Sequence, residues 1–399
     1  MRHSTVKFGE LYAENSRNGI YKSKEFLGSG VLLVKMNQQF GNRFIDDHIA
    51  DFERIELTDD EISRFELLEN DLLFSRTSIV PEGVGMCSIV KAIDEPIAFE
   101  SNIIRIRLDE SKINPLYVFR YFQSYIGRGK VLSIAGGTTI KTIKGSSLKE
   151  LDIHLPPLPK QQKIASILSG YDDLIENNQR RIQLLEESAR LLYKEWFVNF
   201  RFPGHENTKI VDGVPEGWER KPLVEVAHLT MGQSPKSEFY NAVGDGLPFH
   251  QGVTNYGERF VSHKIYSTKI TRLAESGDIL CSVSAPVGRL NYTLDKIILG
   301  RGLCAISSKF ENQSFLFYQL KNYFFKEDII GSGAIYAAVT KKDMETLELL
   351  KPPVNIVRSF EGISRPFDKQ IKNLSEQNQK LAQARDMLLP RLMNGEIEV

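Results

Sequence analysis

The sequence has few cysteines and no long apolar run. Its three cysteines, Cys87, Cys281 and Cys304, are too few and too scattered for a disulfide framework or a zinc site. No stretch of 18 or more apolar residues could span a membrane, and the first residues do not form a signal peptide. We therefore expect a cytoplasmic protein.

Sequence motifs for catalysis and cofactor binding are also missing. The chain has no GxxxxGK[ST] loop for a nucleotide phosphate, no HExxH pair and no Gly-rich loop for a methyl-donor cofactor. Its seven histidines are dispersed. We therefore predict no catalytic residue, no metal site and no cofactor bound by this chain.

The net charge is zero, because 51 basic residues balance 51 acidic ones, but the charge is segregated. Acidic residues crowd positions 46–71, whereas positions 111–149 contain none. Basic and aromatic residues alternate in that second stretch, and a smaller acid-free run contains Arg259 and Arg272. Such stretches are typical of a surface that contacts phosphates. The alternative is a solvated face whose aromatic residues belong to the core.

Residues 156–200 form the most regular part of the chain. Prolines open the stretch, and apolar residues then recur at alternating steps of three and four, which indicates the seam of a coiled coil. A helix over 160–197 would be roughly 55 Å long. The predicted seam consists of Ile164, Leu168, Tyr171, Ile175, Asn178, Ile182, Leu185 and Leu192.

The same pattern returns after Pro352 and Pro353. Ile164 and Phe360 are related by the same offset as Leu192 and Leu388, so the two helices are a repeat. If the helices run antiparallel, Asn178 can face Asn378. The second seam consists of Phe360, Phe367, Ile371, Leu374, Asn378, Leu381 and Leu388, with Ser364 and Arg385 as polar members.

The segments before the two helices also repeat. Each combines short β-rich runs, such as Leu72–Ser75, with one amphipathic helix, over Pro115–Tyr125 in the first copy. The predicted fold class is α+β, with two similar mixed α/β domains separated by two long helices that form an antiparallel coiled coil with pseudo-two-fold symmetry. The predicted segments are 1–155, 156–200, 201–350 and 351–399.

Several motifs resemble one family. The run from Leu155 to Leu168 (LPPLPKQQKIASIL), together with DDLIENN from Asp172, LLEESAR from Leu184 and WFVNF from Trp196, resembles the central conserved region of specificity subunits of Type I restriction-modification systems. VPEGWE from Val214 and LPRLMNGEI from Leu389 are similar to the family's entry to its second recognition domain and to its C-terminal signature. The alternation of domain and helix is also the family's plan.

The resemblance implies a non-catalytic subunit. Segments 1–155 and 201–350 would be target-recognition domains that read the two halves of a split target in double-stranded DNA, and 156–200 and 351–399 would be the conserved helical regions. Two modification subunits, which bind S-adenosylmethionine and methylate adenine N6, would dock on this chain, and restriction subunits would join them. No membrane partner is implied.

DNA contacts are predicted in loops after strands, where polar and basic side chains can reach base edges or phosphates. Thr138, Thr139, Lys141 and Lys144 suit phosphates, although an ordinary surface role is equally open for each residue. The other predicted contacts are Lys35, Asn37, Gln38, Arg76, Thr77, Ser78, His250, Gln251, Asn255, Tyr256, Ser282, Ser284 and Arg289.

Two other functions compete with this interpretation. A fused methyltransferase or nuclease would need the cofactor loop that the sequence lacks. A coiled-coil scaffold that binds no DNA would leave the basic stretch and the duplicated domains without a purpose. A third possibility within the same class is an orphan DNA-binding subunit that acts without a restriction partner.

Overall fold

A computed structural model describes residues 4–47, 49, 51–324 and 339–399. The chain folds into two compact units. Unit 1 comprises residues 1–177 and 377–399, and unit 2 comprises residues 178–376. The central helix (Leu158–Tyr193) and the C-terminal helix (Val354–Met393) each contribute residues to both units. The two units therefore differ from the four predicted segments. Each unit combines one mixed domain with part of both long helices, whereas each predicted segment is one continuous stretch of the chain.

The mixed domain of unit 1 is built on a five-stranded sheet whose middle strand, Leu72–Ser75, is fully buried. Neighbouring strands of this sheet pair antiparallel, except that the edge strand Phe44–Ile45 runs parallel to Cys87–Val90. In order across the sheet the strands are Arg17–Asn18, Ile103–Ile106, Leu72–Ser75, Cys87–Val90 and Phe44–Ile45.

A second sheet and several short helices complete this domain. Strands Glu53–Ile55, Leu27–Val34 and Ile97–Phe99 form the sheet. The first strand, Ser4–Lys7, pairs antiparallel with the last, Asp152–Leu155, which brings the chain to the start of the central helix. The helices are Met36–Gly41, Asp59–Phe65, Pro115–Gln123, Tyr125–Ser133 and Gly145–Lys149.

Unit 2 repeats this plan. A four-stranded antiparallel sheet has Ile279–Ser282 in the place of Leu72–Ser75, and the pairing of Glu219–Pro222 with Glu348–Lys351 again precedes a long helix. The other strands of that sheet are Ala227–Met231, Leu303–Ser308 and Leu290–Tyr292. A five-stranded sheet contains Tyr240–Asn241, Tyr266–Ser267, Leu247–His250, Ile297–Leu299 and Leu273–Ala274, and the helices are Leu223–Val226, Gln313–Phe324 and Lys341–Glu345.

The helices pack through the predicted seam. Every predicted seam residue is buried or half-buried, whereas the neighbouring Gln179 and Arg180 are exposed. In unit 2, Ile182 shares an apolar cluster with Ile371 and Leu374. In unit 1, the Asn378 amide donates to the Ile175 carbonyl at 3.2 Å. Within each unit, residues further along the central helix contact residues nearer the start of the C-terminal helix, so the two helix segments run antiparallel there. Pairing of the Asn178 and Asn378 amides stays a prediction.

The C-terminal helix contains two internal prolines, although proline usually interrupts a helix. Pro366 and Pro390 both lie within Val354–Met393. Proline has no backbone N–H, so Gly362, four residues before Pro366, cannot receive the usual helical bond. Both Gly362 and Pro366 are exposed, which lets water reach that carbonyl. The predicted fold class, two mixed domains with two long helices, is confirmed.

Candidate nucleic-acid interface

In unit 1, the buried strand Leu72–Ser75 leads into a two-stranded ribbon. Thr77–Ser78 pairs antiparallel with Lys141–Thr142, so that Ser78 lies opposite Lys141. Arg76 joins strand and ribbon: its N–H donates to Asn102 at 2.7 Å, and its carbonyl accepts from the N–H of Ile143 at 2.9 Å. We call residues 76–80 and 138–144 the recognition ribbon.

A buried serine fixes the loop that follows the strand. The Ser75 hydroxyl donates to the Gly83 carbonyl at 2.6 Å and accepts from the N–H of Met86 at 2.9 Å. Arg128 secures the same loop by donating to the Gly85 carbonyl at 2.7 Å. Both polar functions of the hydroxyl are thus satisfied inside the protein, which holds the loop in one conformation.

Ser282 does the same in unit 2, and the prediction that it lies exposed on the loop is wrong. Its hydroxyl donates to the Pro286 carbonyl at 2.6 Å and accepts from the N–H of Arg289 at 2.9 Å. The side chain is buried, so it cannot reach a base edge. Ser284 and Arg289 lie on the loop that Ser282 closes, and both are exposed.

The recognition ribbon brings together predicted DNA contacts from two distant parts of the sequence. Arg76, Thr77 and Ser78 are half-exposed on one strand, and Lys141 is half-exposed on the other. The remaining members, Thr138, Thr139 and Lys144, are exposed. Whether these residues touch DNA stays a prediction, but the fold places them on one element.

The turn that precedes the ribbon strand Lys141–Thr142 depends on a glycine. Gly137 has a φ of +99°, and a Cβ there would lie 2.1 Å from the Ile140 carbonyl oxygen. That conformation strains any other residue. Lys141 reinforces the turn, because its ammonium donates to the Gly137 carbonyl at 2.8 Å.

Sequence reasoning missed the apolar tip of the ribbon. Ile79, Val80 and Ile140 are 81%, 51% and 52% exposed. Ser78 lies opposite Lys141, and Ile79 and Ile140 lie next to these two residues. The available signal was the presence of β-branched apolar residues inside loops that are otherwise polar, in SIVP and TTIK.

The prediction for Gln38 is also wrong. The residues after strand Leu27–Val34 form the helix Met36–Gly41 rather than a loop. The buried Gln38 amide donates to the Asp51 carbonyl at 3.1 Å and accepts from the N–H of Lys35 at 3.2 Å. Asn37 is exposed on this helix, and the half-exposed Lys35 ammonium forms an ion pair with Glu53.

His250 is a core residue rather than a DNA contact. Its Nε2 lies 2.9 Å from His263 Nδ1, and His263 Nε2 lies 3.0 Å from Asp295 Oδ2. Burial, together with His263, lowers the pKa of His250 to about 4, so its ring is neutral at physiological pH. The next residue, Gln251, is exposed and accepts from the Ser234 hydroxyl at 2.7 Å.

The other two residues predicted near His250 are less accessible than a loop position suggests. Asn255 and Tyr256 are half-buried, and the Tyr256 ring packs against an apolar cluster of unit 2. Burial raises the pKa of the Tyr256 hydroxyl well above its usual range, so it stays protonated. Whether either residue contacts DNA stays a prediction.

For the basic stretch 111–149, the structure favours the core for most aromatic residues. Tyr117, Phe119 and Phe122 are in the main hydrophobic cluster of unit 1, whereas Tyr125 is exposed. Arg120 is buried as well. Lys112 and Lys149 are exposed as well, so which part of the stretch contacts phosphates stays a prediction.

Buried ion pairs hold the mixed domain of unit 1 to its helical segments. Asp172 of the central helix forms ion pairs with Arg120 and with Arg385, the latter at 2.6 Å. All three side chains are less than a tenth exposed. Burial, together with Arg385 and Arg43, lowers the pKa of the Arg120 guanidinium to about 9, and Asp386 and Asp173 partly oppose this shift.

Unit 2 contains an analogous pairing around Arg259. Its guanidinium lies 2.5 Å from Asp368 of the C-terminal helix and 3.7 Å from Glu186 of the central helix. Its Cζ lies 3.7 Å from the ring centroid of Phe317. Burial alone would lower the pKa of Arg259, but Tyr318, Asp368 and other nearby groups outweigh it and raise that pKa. In both units a domain arginine thus meets a helix carboxylate.

The described residues contain no group of three or more histidine, cysteine, aspartate or glutamate side chains that could hold a metal ion. The three cysteines are free and buried. Burial raises the pKa of the Cys87 thiol, which disfavours a reactive thiolate. In the same part of the chain, no helix is long and apolar enough to cross a membrane.

The helices also expose apolar side chains away from their seam. On the central helix, Leu174, Leu184 and Leu191 are 52%, 60% and 46% exposed. On the C-terminal helix, Ile363 and Met387 are exposed as well. Exposed apolar residues on a long helix are typical of a surface that a partner protein covers.

Comparisons with known proteins agree with this architecture. The family model of the Type I restriction modification DNA specificity domain matches residues 8–187 and 215–383. The chain is 31% identical over 306 residues to the type I restriction enzyme MjaIX specificity subunit of Methanocaldococcus jannaschii, covering 71% of this chain and 69% of that one. It is 24% identical over 339 residues to the HindI specificity subunit of Haemophilus influenzae, covering 67% and 74%.

A solved structure shares the fold. The crystal structure of a Type-I restriction-modification system S subunit from M. genitalium aligns with a TM-score of 0.59 at 17% identity, over 98% of this chain and 96% of that one. The two matched ranges fall on the two repeats, and the first includes the motifs that run from Leu155 to Leu168 and from Asp172. The chain therefore belongs to the family of specificity subunits of Type I restriction-modification systems.

Proposed function

We propose that this chain is the DNA-reading, non-catalytic subunit of a Type I restriction-modification complex. The observation that carries the proposal is the duplicated loop closed by Ser75 in unit 1 and Ser282 in unit 2. In both units a buried strand ends at a rigid loop that presents exposed polar or basic side chains. Rigid presentation of such groups is what recognition of base edges requires.

The two loops differ in sequence, so the two units would read different base pairs. Unit 1 offers Arg76, Thr77 and Ser78, whereas unit 2 offers Ser284 and Arg289. One chain with two different reading loops suits a split, asymmetric target. The long helices would then set the length of the spacer that is not read.

Modification subunits would dock on the outward faces of the helices. Leu184 and Leu191 provide apolar area there, with Arg180 and Glu187 exposed nearby. We expect two modification subunits, because the helical motif is present twice. They would bind S-adenosylmethionine and methylate adenine N6, after flipping the base out of the duplex. This chain would bind no cofactor itself.

Restriction subunits would complete the assembly in the cytoplasm. An orphan subunit that directs methylation without a restriction partner would have the same DNA-binding residues, and the test below covers both cases. In either case the chain supplies specificity and its partners supply chemistry.

Methylome sequencing tests this proposal. The chain is expressed with its modification subunit in a host that lacks adenine methylation, and N6-methyladenine is mapped across the genome. We expect one split motif that disappears when this chain is omitted. Methylation that is absent, or that does not depend on the chain, would overturn the proposal.

A matched pair of variants tests the docking face. Leu184→Glu with Leu191→Glu places charges on the exposed apolar surface, and we expect loss of co-purification with the modification subunit. The control, Gln179→Glu with Gln183→Glu, places the same two charges at exposed polar positions on the same helix. Equal loss from both pairs would argue against an apolar docking face.

A further inference from the structure

The exposed tip of the recognition ribbon has no function in what has been described so far. Ile79 is 81% exposed and Ile140 is 52% exposed, and they lie next to Ser78 and Lys141, the last residues that pair across the ribbon. Val80 extends the same apolar surface. Apolar side chains grouped at the end of a projecting element are unfavourable in water unless a partner covers them.

The surroundings of the tip indicate what that partner is. From Ser75 to Pro81 and from Ser111 to Lys149 the chain carries no acid. Arg76 and Lys141 border the tip, and the exposed Lys144 lies between the strand Lys141–Thr142 and the helix Gly145–Lys149. Exposed threonines 138 and 139 lie in the turn beside Ile140. A cationic rim with hydroxyl groups complements a polyanion, so the partner is nucleic acid.

The shape of the element narrows the binding mode. A two-stranded β-ribbon fits the major groove of B-DNA, whereas the minor groove is too narrow to admit one. The C5-methyl group of thymine is the apolar group that the major groove presents, and apolar side chains contact it there. Side chains at the tip of a ribbon reach the floor of the groove when the flanking cations contact the phosphates on its walls.

We propose that the recognition ribbon enters the major groove and that Ile79 and Ile140 determine specificity by contacting thymine methyl groups in the half-site read by unit 1. This inference rests on the proposed function. Arg76, Thr77 and Ser78 then supply hydrogen bonds to base edges beside the methyl contact, while Lys141 and Lys144 hold the backbone. The apolar tip adds to the discrimination by hydrogen bonds, because it favours thymine, whose methyl group cytosine lacks.

Thymine-to-uracil substitution tests the inference, because it removes only the methyl group. The full complex with its modification subunits is titrated with target DNA in which each thymine of the unit 1 half-site, on either strand, is replaced in turn by uracil. At one or two positions we expect wild-type affinity to fall roughly 4-fold, the value of one buried methyl group.

The same scan with Ile79→Ala and Ile140→Ala identifies the contacting residue. We expect the variant that loses the contact to bind thymine DNA more weakly and to show no further loss with uracil at that position, since the interacting pair is already broken. Ile210→Ala is the matched control: Ile210 is 58% exposed and also lies on a two-stranded ribbon, Ile210–Val211 with Val214–Pro215. It should leave the uracil penalty unchanged.

Three results would overturn the inference. Uracil could leave wild-type affinity unchanged at every position, or both isoleucine variants could retain the full uracil penalty. Alternatively, Ile79→Ala could weaken assembly with the modification subunit while DNA affinity stays the same, which would assign the tip to a protein contact. If a methylated motif that depends on this chain exists, any of these results refutes the ribbon inference alone and leaves the proposed function standing.

Discussion

Arg385 Nη1 lies 2.6 Å from Asp172 Oδ1, and both side chains are buried in unit 1. The same carboxylate is the partner of Arg120, which belongs to the mixed domain. One buried carboxylate thus joins a domain helix to segments of both long helices. Because a recognition loop is useful only in a fixed orientation, this link connects helix packing to DNA reading.

Asp172→Asn should destabilise unit 1 strongly. The change removes the ion-pair partner of buried Arg120 and leaves Arg385 with Asp386 alone, and breaking a buried pair from one side costs about 3–5 kcal/mol. We expect the urea midpoint of the less stable transition to fall, as followed by circular dichroism. Asp173→Asn is the control, because Asp173 is exposed on the same helix. Equal effects from the two variants would contradict this role of Asp172.

Arg259→Lys should destabilise unit 2 although the charge is kept. Lysine cannot reproduce the flat guanidinium that contacts Asp368 at 2.5 Å while its Cζ lies 3.7 Å from the Phe317 ring centroid. We expect a lower melting temperature, with a loss of about 1–3 kcal/mol. Arg272→Lys, in the same acid-free run, is the control. An unchanged melting temperature for Arg259→Lys would refute the argument.

Glu361 should make unit 2 less stable as the pH rises. Burial raises the pKa of its carboxyl from 4.5 to about 7, although the N–H of Phe315 donates to it. Between these two values the folded protein holds a proton that the unfolded chain has released. The free energy of unfolding therefore falls as the pH rises from about 4.5 to about 7 and levels off above that.

Glu361→Gln should remove this pH dependence. Glutamine keeps an oxygen that can accept from Phe315 and carries no charge, so we expect about 1–3 kcal/mol more stability at pH 8 and little change at pH 4.5. Glu348→Gln, at an exposed carboxylate, should leave the pH profile as it is. The measurement is chemical denaturation at a series of pH values. A profile for Glu361→Gln that parallels the wild type would show that this group is not the cause.

Arg76 and Lys141 should have distinguishable roles on the ribbon. Arg76→Ala should cost about 1–3 kcal/mol of binding and relax one position of the target. Lys141→Ala should weaken binding to every sequence and reduce the slope of log affinity against log salt by about 0.9. Competition titrations of the complex with mixed target libraries at several salt concentrations separate the two. Equal losses that do not depend on sequence would remove Arg76 as a base contact.

Two elements illustrate what could be predicted from the sequence. The strand Leu72–Ser75 has the predicted bounds, and the helix predicted over Pro115–Tyr125 ends at Gln123, because Ser124 starts a second helix by accepting from the N–H of Gly127. By contrast, Ser282 and His250 were predicted as exposed contacts and are buried. The hydrogen-bond partners of their polar groups cannot be identified from the residues next to them in the sequence.

The sequence by itself determined the repeat, the two long helices and the seam on which they pack, because helical periodicity is a local property of the chain and burial follows directly from it. It also determined the family, through motifs in those helices, at their ends and at the start of the second domain. Only the tertiary structure decided that Thr77–Ser78 pairs with Lys141–Thr142, that Arg120 and Arg259 are buried with carboxylates, and that Ile79 and Ile140 are both exposed next to those paired residues. These relationships join residues more than 50 positions apart, and their register and burial depend on how the whole domain packs rather than on any local pattern.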